Sequence, residues 1–371
     1  MPPDVHPSHS NSRVMVGLSG GVDSSVAALL LIEQGYRVEG LFMKNWEEDD
    51  SADHCAAMQD LQDASAVAER LGIPLHRVNF STEYWDEVFA HFLSEYRAAR
   101  TPNPDILCNR EIKFGAFLDF ALDLGAERIA TGHYARLVCN SAGCRLKLAA
   151  DHGKDQTYFL HLLGQKQLRH SLFPLGDLKK SQVRTLARRA GLPTAEKKDS
   201  TGICFIGERR FRDFLARYLP HRPGPMETPE GRVIGEHRGL AYYTIGQRQG
   251  LGVGGLAGRA DSPWFVAGKE TARNALILVQ GHDNPQLMSR GLDGSALHWI
   301  GGEPPATSPF DCRVRLRHRQ PLQDCRITEI HASRCRVQFA QPQRAVTPGQ
   351  AAVFYDDEEC LGGTVIEKAW D

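Results

Sequence analysis

The chain has 371 residues, a length that exceeds one ordinary domain and predicts two or three. With 44 Lys and Arg against 45 Asp and Glu, its formal net charge is −1, which argues against a protein coated in basic surface but leaves local patches open. No apolar run approaches the roughly 20 residues needed to span a bilayer, so we expect no membrane partner. Nine cysteines in so long a chain argue against a disulfide-stapled secreted scaffold and favour a cytoplasmic protein with reduced thiols.

The first half of the chain alternates short apolar runs with helix-like segments. Residues 1–12 are polar and Pro-rich, so we expect a disordered tail that is neither a secretory signal nor an organelle-targeting segment. Beyond them, the pattern predicts strands at 14–18, 38–43, 75–79 and 128–131, with helices at 24–34, 60–71 and 112–124. This alternation is typical of βαβ units, and it predicts an α/β fold with a doubly wound parallel sheet.

The pattern changes after about residue 210. Residues 220–260 are dense in Gly and Pro, whereas from residue 295 onward short alternating runs predict a small antiparallel barrel or sandwich. We therefore predict an α/β domain at 13–210, a central Gly/Pro-rich domain at 211–285 and a C-terminal β-barrel-like domain at 286–371.

Charge is unevenly distributed along the chain. Residues 47–63 hold seven acidic residues and no Lys or Arg, whereas residues 154–222 hold 15 Lys and Arg against 6 Asp and Glu. Four arginines alternate in the β-rich tail, namely Arg313, Arg315, Arg317 and Arg319. Their alternation predicts that all four share one face of a strand, an arrangement that is costly unless an anion faces it. Two interpretations stay open: the charged segments form ordinary solvated surfaces, or the basic residues form a binding surface for nucleic acid.

The segment SGGVDSS, residues 19–25, follows the first predicted strand and opens the first predicted helix. Its two glycines allow a tight turn and a close approach to a ligand, and the unpaired N–H groups at a helix start favour an anion. The segment has no lysine, so it is not a Walker A loop. A glycine turn with an ordinary Ser or Asp N-cap would explain any two of these residues, but not readily all seven in this order.

SGGVDSS resembles the pyrophosphate loop (PP-loop) of ATP pyrophosphatases, which cleave ATP between the α- and β-phosphates. The resemblance implies a Rossmann-like domain that binds ATP together with Mg²⁺. It also implies the residues that contact ATP, with Met43 beside the adenine and Gly132 adding a backbone contact. These residues are Gly17, Leu18, Ser19, Gly20, Gly21, Val22, Asp23, Ser24, Met43 and Gly132.

Two cysteines stand in distinctive surroundings. Cys108 lies in NPDILCNR, a stretch that we expect to be a stiff loop close to a helix start, and Cys204 lies in DSTGICFIG after two lysines. A helix start or nearby cations favour the thiolate. For either cysteine alone, an inert buried thiol is the commoner explanation.

Six segments from 103 to 355 resemble the tRNA-specific 2-thiouridylase family in the expected order, and they are NPDILCNREIKF, ATGHYAR, KDQTYFL, DSTGICFIG, GQRQGLGVGG and TPGQAAVFY. The resemblance implies adenylation of the C2 oxygen of wobble uridine 34 in tRNA and its replacement by persulfide sulfur. Cys108 would be the nucleophile, Cys204 the persulfide carrier and Asp105 the general acid/base. A Cys108–Cys204 disulfide would form at each turnover.

The same resemblance implies contacts with the anticodon stem-loop and a protein that supplies sulfur, either a cysteine desulfurase or a sulfur-relay protein. The implied tRNA contacts are Asn103, Pro104, Asp105, His133, Lys154, Asp155, Gln156, Arg317, His318 and Gln350. The family usually has Tyr where His318 stands. Wobble uridine lies in a single-stranded loop, so it can be turned into a pocket at modest cost.

Several alternatives stay open at this point. An iron–sulfur cluster held by Cys108, Cys204 and Asp105 would give the same residues another role. The chain could also be another PP-loop adenylating enzyme, such as an amidotransferase-type ligase, or a tRNA-binding protein without catalysis. A metal site at Cys139 and Cys144 is disfavoured because they have no partner pair at zinc spacing, and we expect no resident metal.

Overall fold

The computed structural model describes residues 12–46, 56–199, 214–253, 262–306 and 309–371. The predicted N-terminal tail, except residue 12, and the predicted persulfide carrier Cys204 lie outside these ranges. Among the helices described, none is long and apolar enough to cross a membrane.

The N-terminal region is built on a parallel sheet. Its elements are β1 (Arg13–Gly17), α1 (Val22–Glu33), β2 (Arg37–Lys44), α2 (Ala56–Leu71), β3 (Leu75–Asn79), α3 (Ser81–Tyr84), π1 (Trp85–Phe89), α4 (Ala90–Arg97), α5 (Pro104–Leu107), π2 (Cys108–Ala116), α6 (Phe117–Asp123), β4 (Arg128–Ala130), β5 (Arg136–Asn140), β6 (Gly143–Lys147), α7 (Thr157–Leu160), α8 (Gln165–Arg169), β7 (Ser171–Leu172) and α9 (Lys180–Arg189). The sheet order is β3-β2-β1-β4-β7, and all four pairings are parallel. The predicted doubly wound α/β class is confirmed.

The central strand β1 shows why this sheet is covered on both faces. Val14, Met15 and Val16 are fully buried, and successive side chains of a strand point to opposite faces. Met15 packs in one hydrophobic cluster, whereas Val14 and Val16 pack in another. A continuous apolar run of this kind is typical of a parallel strand between two layers of helices.

The helix that carries Cys108 begins earlier than predicted. We expected a loop up to a helix at residue 112, but α5 begins at Pro104 and continues through π2 into α6. The prediction of a loop at 104–111 was therefore wrong. The Asn103 side chain accepts a hydrogen bond from the Asp105 N–H at 3.1 Å, and Pro104 occupies the first helical position, where proline is favoured.

The rest of the chain forms a mixed central sheet and a closed barrel. Its strands are β8 (Gly224–Glu227), β9 (Val233–His237), β10 (Trp264–Glu270), β11 (Ala275–Gln280), β12 (Met288–Trp299), β13 (Phe310–Arg315), β14 (Gln323–His331), β15 (Arg334–Arg344), β16 (Ala351–Asp356) and β17 (Glu359–Trp370). The central sheet has the order β10-β11-β8-β9. The antiparallel sheet β12-β15-β14-β13-β16-β17 closes on itself through pairing of β12 with β17, which confirms the predicted barrel.

A hairpin of the N-terminal region joins the barrel sheet. Strands β5 and β6 pair with each other, and β6 pairs with β17. Cys139 and Cys144 face each other across this hairpin and form a disulfide. The expectation of reduced thiols was therefore wrong for these two cysteines, because the hairpin register brings their side chains together.

One carboxylate ties three strands of the parallel sheet together. Glu39 in β2 is 4% exposed, and it accepts hydrogen bonds from Arg13 Nε at 2.6 Å and Arg13 Nη2 at 2.8 Å. His76 Nε2 lies 2.8 Å from Glu39 Oε2, the same oxygen that accepts from Arg13 Nη2. The hydrogen bonds from Arg13 are the main reason that the pKa of Glu39 falls to about 2, and His76 contributes further.

We predict that Glu39→Gln lowers the free energy of unfolding at pH 7 by about 2 kcal/mol, because the Arg13 pair loses its charge. The folded-state pKa of Glu39 lies below the ordinary value of 4.5, so this stabilisation is complete above pH 4.5 and disappears as the pH falls toward 2. Urea denaturation between pH 2 and 7 measures it. Glu196→Gln, at an exposed pair with Arg188, is the control. Equal pH profiles for the two variants would contradict the prediction.

Candidate active site

The predicted phosphate loop connects β1 to α1 in a tight turn. Gly20 has a φ of 72°, a conformation that favours glycine. The Ser24 and Ser25 hydroxyls donate to the Gly21 carbonyl at 3.1 and 2.7 Å, and the Ser19 N–H donates to Ser24 Oγ at 3.2 Å. Gly21, the N-cap of α1, has no side chain to satisfy the first N–H groups of the helix. Such an opening suits an anion.

Two further predicted ATP contacts lie beside this loop. A Cβ atom on Gly132, just after β4, would stand 2.7 Å from the Ser24 nitrogen, so only glycine permits this approach. Met43 at the end of β2 reaches Gly17, where its Cε lies 3.3 Å from the position of a Cβ. The structure thus brings Gly17, Met43 and Gly132 together around the turn, as the carboxyl ends of adjacent parallel strands require.

Asp23 of the loop is held by a lysine that the sequence did not single out. Lys180 Nζ lies 2.7 Å from both carboxylate oxygens of Asp23, and the Tyr134 hydroxyl donates to the same carboxylate at 2.8 Å. Burial first, and then the charge of Asp23, raise the pKa of Tyr134. The only sequence signal for Lys180 was its place in the basic segment 154–222.

Asp199 extends this network toward the segment that carries Cys204. It accepts hydrogen bonds from Lys154 Nζ at 2.6 Å and Arg184 Nη2 at 2.8 Å, and it pairs with Lys180 at 2.8 Å. Burial acts to raise the pKa of Asp199, but the hydrogen bonds from Lys154 and Lys180 outweigh it and lower the pKa to about 2. Asp199 is the last described residue before the gap at 200–213.

The basic and acidic segments partly neutralise each other. Lys197 Nζ lies 2.8 Å from Asp60 and 2.5 Å from Asp63, both in α2. Together with the Asp199 pairs, this contact gives several cations of the basic segment partners inside the protein. The charge of the basic segment is therefore neutralised in part by ion pairs within the chain.

Asp105 and Cys108 lie three residues apart on one continuous helix, so their side chains project from the same face. Cys108 is fully buried at the start of π2, and a π-helical turn is frequent at functional sites. The next residue, Asn109, is 2% exposed and donates from Nδ2 to the Phe159 carbonyl at 3.2 Å. The described structure thus puts Asp105 and Cys108 about one helical turn apart, and the roles that the resemblance implies for them stay predictions.

The predicted tRNA contact Asp155 has a structural role. Its side chain is 1% exposed and pairs with Arg315 Nη1 at 2.8 Å. The same carboxylate accepts hydrogen bonds from the Ala149 N–H at 3.0 Å and the Thr157 hydroxyl at 2.9 Å. Direct contact of this carboxylate with tRNA stays a prediction, and the geometry makes it first a bridge between α7 and the barrel.

The arginines of the barrel do not share one strand face. Strand β13 ends at Arg315, so Arg317 and Arg319 lie beyond it, and Arg319 has a positive φ of 69°. The anion that faces Arg315 is Asp155 of the same chain, and Arg317 Nη2 donates to the Ala345 carbonyl at 2.7 Å. The expectation of a four-arginine strand face was wrong because the strand is too short.

His318 connects the barrel to the helix of Cys108. Its ring lies 4.5 Å from the Phe159 ring between centroids, and its Nε2 lies 3.0 Å from the Asp155 carbonyl oxygen. Phe159 is the residue whose carbonyl accepts from Asn109. Burial is the main cause that lowers the pKa of His318.

The remaining predicted tRNA contacts also have partners within the chain. His133 Nδ1 lies 2.8 Å from the Thr131 hydroxyl, and burial lowers the pKa of His133 well below its ordinary value, so its ring is neutral at pH 7. Gln156 Oε1 accepts from the Tyr134 N–H at 2.9 Å. Gln350 Nε2 donates to the Thr101 carbonyl at 2.6 Å.

Comparison with known proteins decides the family. The model of the tRNA methyl transferase HUP domain matches residues 12–208, that of the tRNA methyl transferase PRC-barrel domain residues 212–280, and that of the aminomethyltransferase beta-barrel domain residues 289–366. The tRNA-specific 2-thiouridylase MnmA of Methylococcus capsulatus is 61% identical over 360 residues, covering 97% of each chain. The chain belongs to the MnmA family.

Other members of the MnmA family are similarly close. The protein of Pseudomonas aeruginosa is 59% identical, covering 98% of this chain and 97% of its own, and that of Tolumonas auensis is 58% identical, covering 97% and 98%. Among solved structures, the U34-tRNA thiolase NcsA from Methanococcus maripaludis is 20% identical over 51% of this chain and 60% of its own, with a TM-score of 0.34. That weak likeness supports no further conclusion.

The disfavoured metal site at Cys139 and Cys144 does not exist in this structure, because the two sulfurs are bonded to each other. Within the described ranges, no group of three or more His, Cys, Asp and Glu side chains could hold a metal ion. Cys204 lies outside the described ranges, so the iron–sulfur alternative stays open.

We predict that Asp155→Asn destabilises the protein by about 3 kcal/mol, because it leaves the buried Arg315 guanidinium without its counter-charge. Urea denaturation measures the effect. The control is Asp311→Asn, whose pair with Arg326 is exposed on the same barrel. Unchanged stability together with weakened tRNA binding would instead make Asp155 a direct tRNA contact.

Proposed function

We propose that this chain is a cytoplasmic tRNA-uridine 2-sulfurtransferase that converts wobble uridine 34 to 2-thiouridine. The observation that carries the proposal is the pairing of a PP-loop with Asp105 and Cys108 on one helix, in a chain 61% identical to an MnmA protein. Neither a non-catalytic tRNA binder nor an amidotransferase-type ligase accounts for both features.

The first step activates the base. Oxygen at C2 of uracil is a very poor leaving group. Adenylation bonds this oxygen to the α-phosphate of ATP, which breaks the α–β phosphate bond and releases pyrophosphate, and AMP then becomes the leaving group. The Gly21–α1 opening and the close approach of Gly132 fit a phosphate group at this place. Mg²⁺ bound together with ATP would neutralise charge on the phosphates beside the Gly21–α1 opening.

The second step exchanges oxygen for sulfur. The terminal sulfur of a Cys204 persulfide attacks C2, and the C2–O bond to AMP breaks. The Cys108 thiolate then attacks the Cys204 Sγ, which breaks the S–S link, leaves sulfur on C2 and forms a Cys108–Cys204 disulfide. In the alternative order, Cys108 first releases hydrosulfide, which attacks C2. Asp105 exchanges protons beside the base, and an external thiol reductant restores both cysteines.

The tRNA contacts are proposed around the helix of Cys108. His133 packs on Phe114 of π2 with ring centroids 5.7 Å apart, and His318 reaches the same helix through Phe159. Lys154, Gln156, Arg317 and Gln350 join them, with Asn103, Pro104 and Asp105 at the helix start. The sulfur is supplied by a cysteine desulfurase or a sulfur-relay protein.

We predict that Cys108→Ser and Cys204→Ser each abolish thiolation of unmodified tRNA in the presence of ATP and a persulfide donor, because each removes one sulfur of the transfer. The readout is 2-thiouridine together with AMP. Cys312→Ser, a partly exposed cysteine of the barrel, is the control. Full thiolation by either active-site variant would rule out the two-cysteine mechanism. Activity that depends on bound iron after anaerobic purification would favour the cluster.

We predict that Arg317→Gln weakens tRNA binding and lowers the slope of log affinity against log salt concentration by about 1, because one phosphate contact is lost. Filter binding at four or more salt concentrations measures both quantities. Arg326→Gln, on an exposed strand of the same barrel, should leave both unchanged. Equal affinity and slope in the Arg317 variant would remove it from the interface.

A further inference from the structure

Residues 99–101, which we call the 99–101 junction, lie where the three parts of the molecule meet. Lys269 of β10 donates from Nζ to the Ala99 carbonyl at 2.7 Å. The Thr101 N–H donates to the Pro348 carbonyl at 3.0 Å, and Gln350 Nε2 donates to the Thr101 carbonyl at 2.6 Å. Both the central sheet and the barrel are therefore hydrogen-bonded to the backbone of this short segment.

The barrel packs closely against the junction at Gly349. Gly349 has a φ of 91°, and a Cβ atom there would stand 2.8 Å from the Thr101 nitrogen and 3.1 Å from the Arg100 Cβ. A side chain at residue 349 would force the two apart. The backbone at Gly349 therefore packs directly against the junction, with no room for a side chain between them.

Arg100 adds ion pairs on both sides of this contact. Its side chain is 19% exposed, and its Nε lies 2.7 Å from Glu95 of α4 while its Nη1 lies 2.6 Å from Glu367 of β17. Nη2 lies 3.1 Å from the other oxygen of Glu367, so the pair is bidentate. Bidentate pairs fix geometry as well as supplying energy.

The junction leads directly into the catalytic helix. Two residues after Thr101, Asn103 caps the helix that carries Asp105 and Cys108. The intervening Pro102 and the following Pro104 each fix one backbone dihedral, so this connection is stiff. A displacement at residue 101 is therefore transmitted to the start of the helix rather than absorbed.

We propose that Arg100 is a positioning residue, whose pair with Glu367 uses the barrel to set the place of Asp105 and Cys108 relative to the bound uridine. The inference rests on the proposed function, since it gives that helix its role. It also predicts that the barrel and the helix of Cys108 keep a fixed relative position when tRNA is bound. Arg100 itself touches neither base nor nucleotide in this account.

The test compares Arg100→Gln, Glu367→Gln and the double variant with Arg326→Gln, which removes an exposed bidentate pair with Asp311 on the same barrel. Single-turnover thiolation is measured at saturating tRNA and ATP, alongside tRNA affinity and urea denaturation. We expect each single variant to lose about tenfold in rate with tRNA affinity changed less than twofold. The double variant should be no slower than the slower single one, because both remove the same interaction.

Two further measurements distinguish a positioning role of Arg100 from a general loss of stability. Arg100→Lys, which retains one charge but not the bidentate geometry, should recover part of the rate. Alkylation of Cys108, followed by peptide mass spectrometry, should be several-fold faster in Arg100→Gln than in the parent chain and unchanged in Arg326→Gln. Wild-type rates in both single variants, or losses that follow tRNA affinity or unfolding, would overturn the proposal. If the parent chain does not thiolate tRNA, the proposed function fails, and alkylation alone decides the positioning role.

Discussion

The buried pair between Asp155 and Arg315 is the constraint on which the arrangement of this molecule depends. It joins the segment before α7 to the last residue of β13, and its two side chains are 1% and 8% exposed. A charge buried this far is tolerated beside an opposite charge, so separating the barrel from the α/β region would leave both groups without their counter-charge. His318 Nε2 lies 3.0 Å from the Asp155 carbonyl oxygen, and the His318 ring packs on Phe159, whose carbonyl accepts from Asn109 on the helix of Cys108.

A second network serves the nucleotide end of the site. Lys180 pairs with both Asp23 of the PP-loop and Asp199, while Lys154 and Arg184 share the same Asp199. Lys180 therefore links the PP-loop, which is proposed to bind ATP, to Asp199, which lies five residues before Cys204 in the sequence. Adenylation and sulfur delivery must meet at one base, and this shared anchor suits that requirement.

The sequence was most informative where one local rule decided the outcome. A continuous apolar run predicted β1, and two glycines before a helical pattern predicted the tight turn into α1. It was least informative where the deciding partner lies far along the chain. Arg315 meets Asp155 160 residues away, and hairpin β5–β6 pairs with β17 across the molecule. No local pattern carries such partners.

The central claim is that Cys108 and Cys204 become joined in a disulfide each time one sulfur is transferred. The most direct test is a single turnover with the persulfide-loaded protein, ATP and excess unmodified tRNA, in the absence of reductant, followed by peptide mass spectrometry. The account predicts one Cys108–Cys204 disulfide and one AMP for each 2-thiouridine formed. Formation of 2-thiouridine while Cys108 remains a reduced thiol would contradict it.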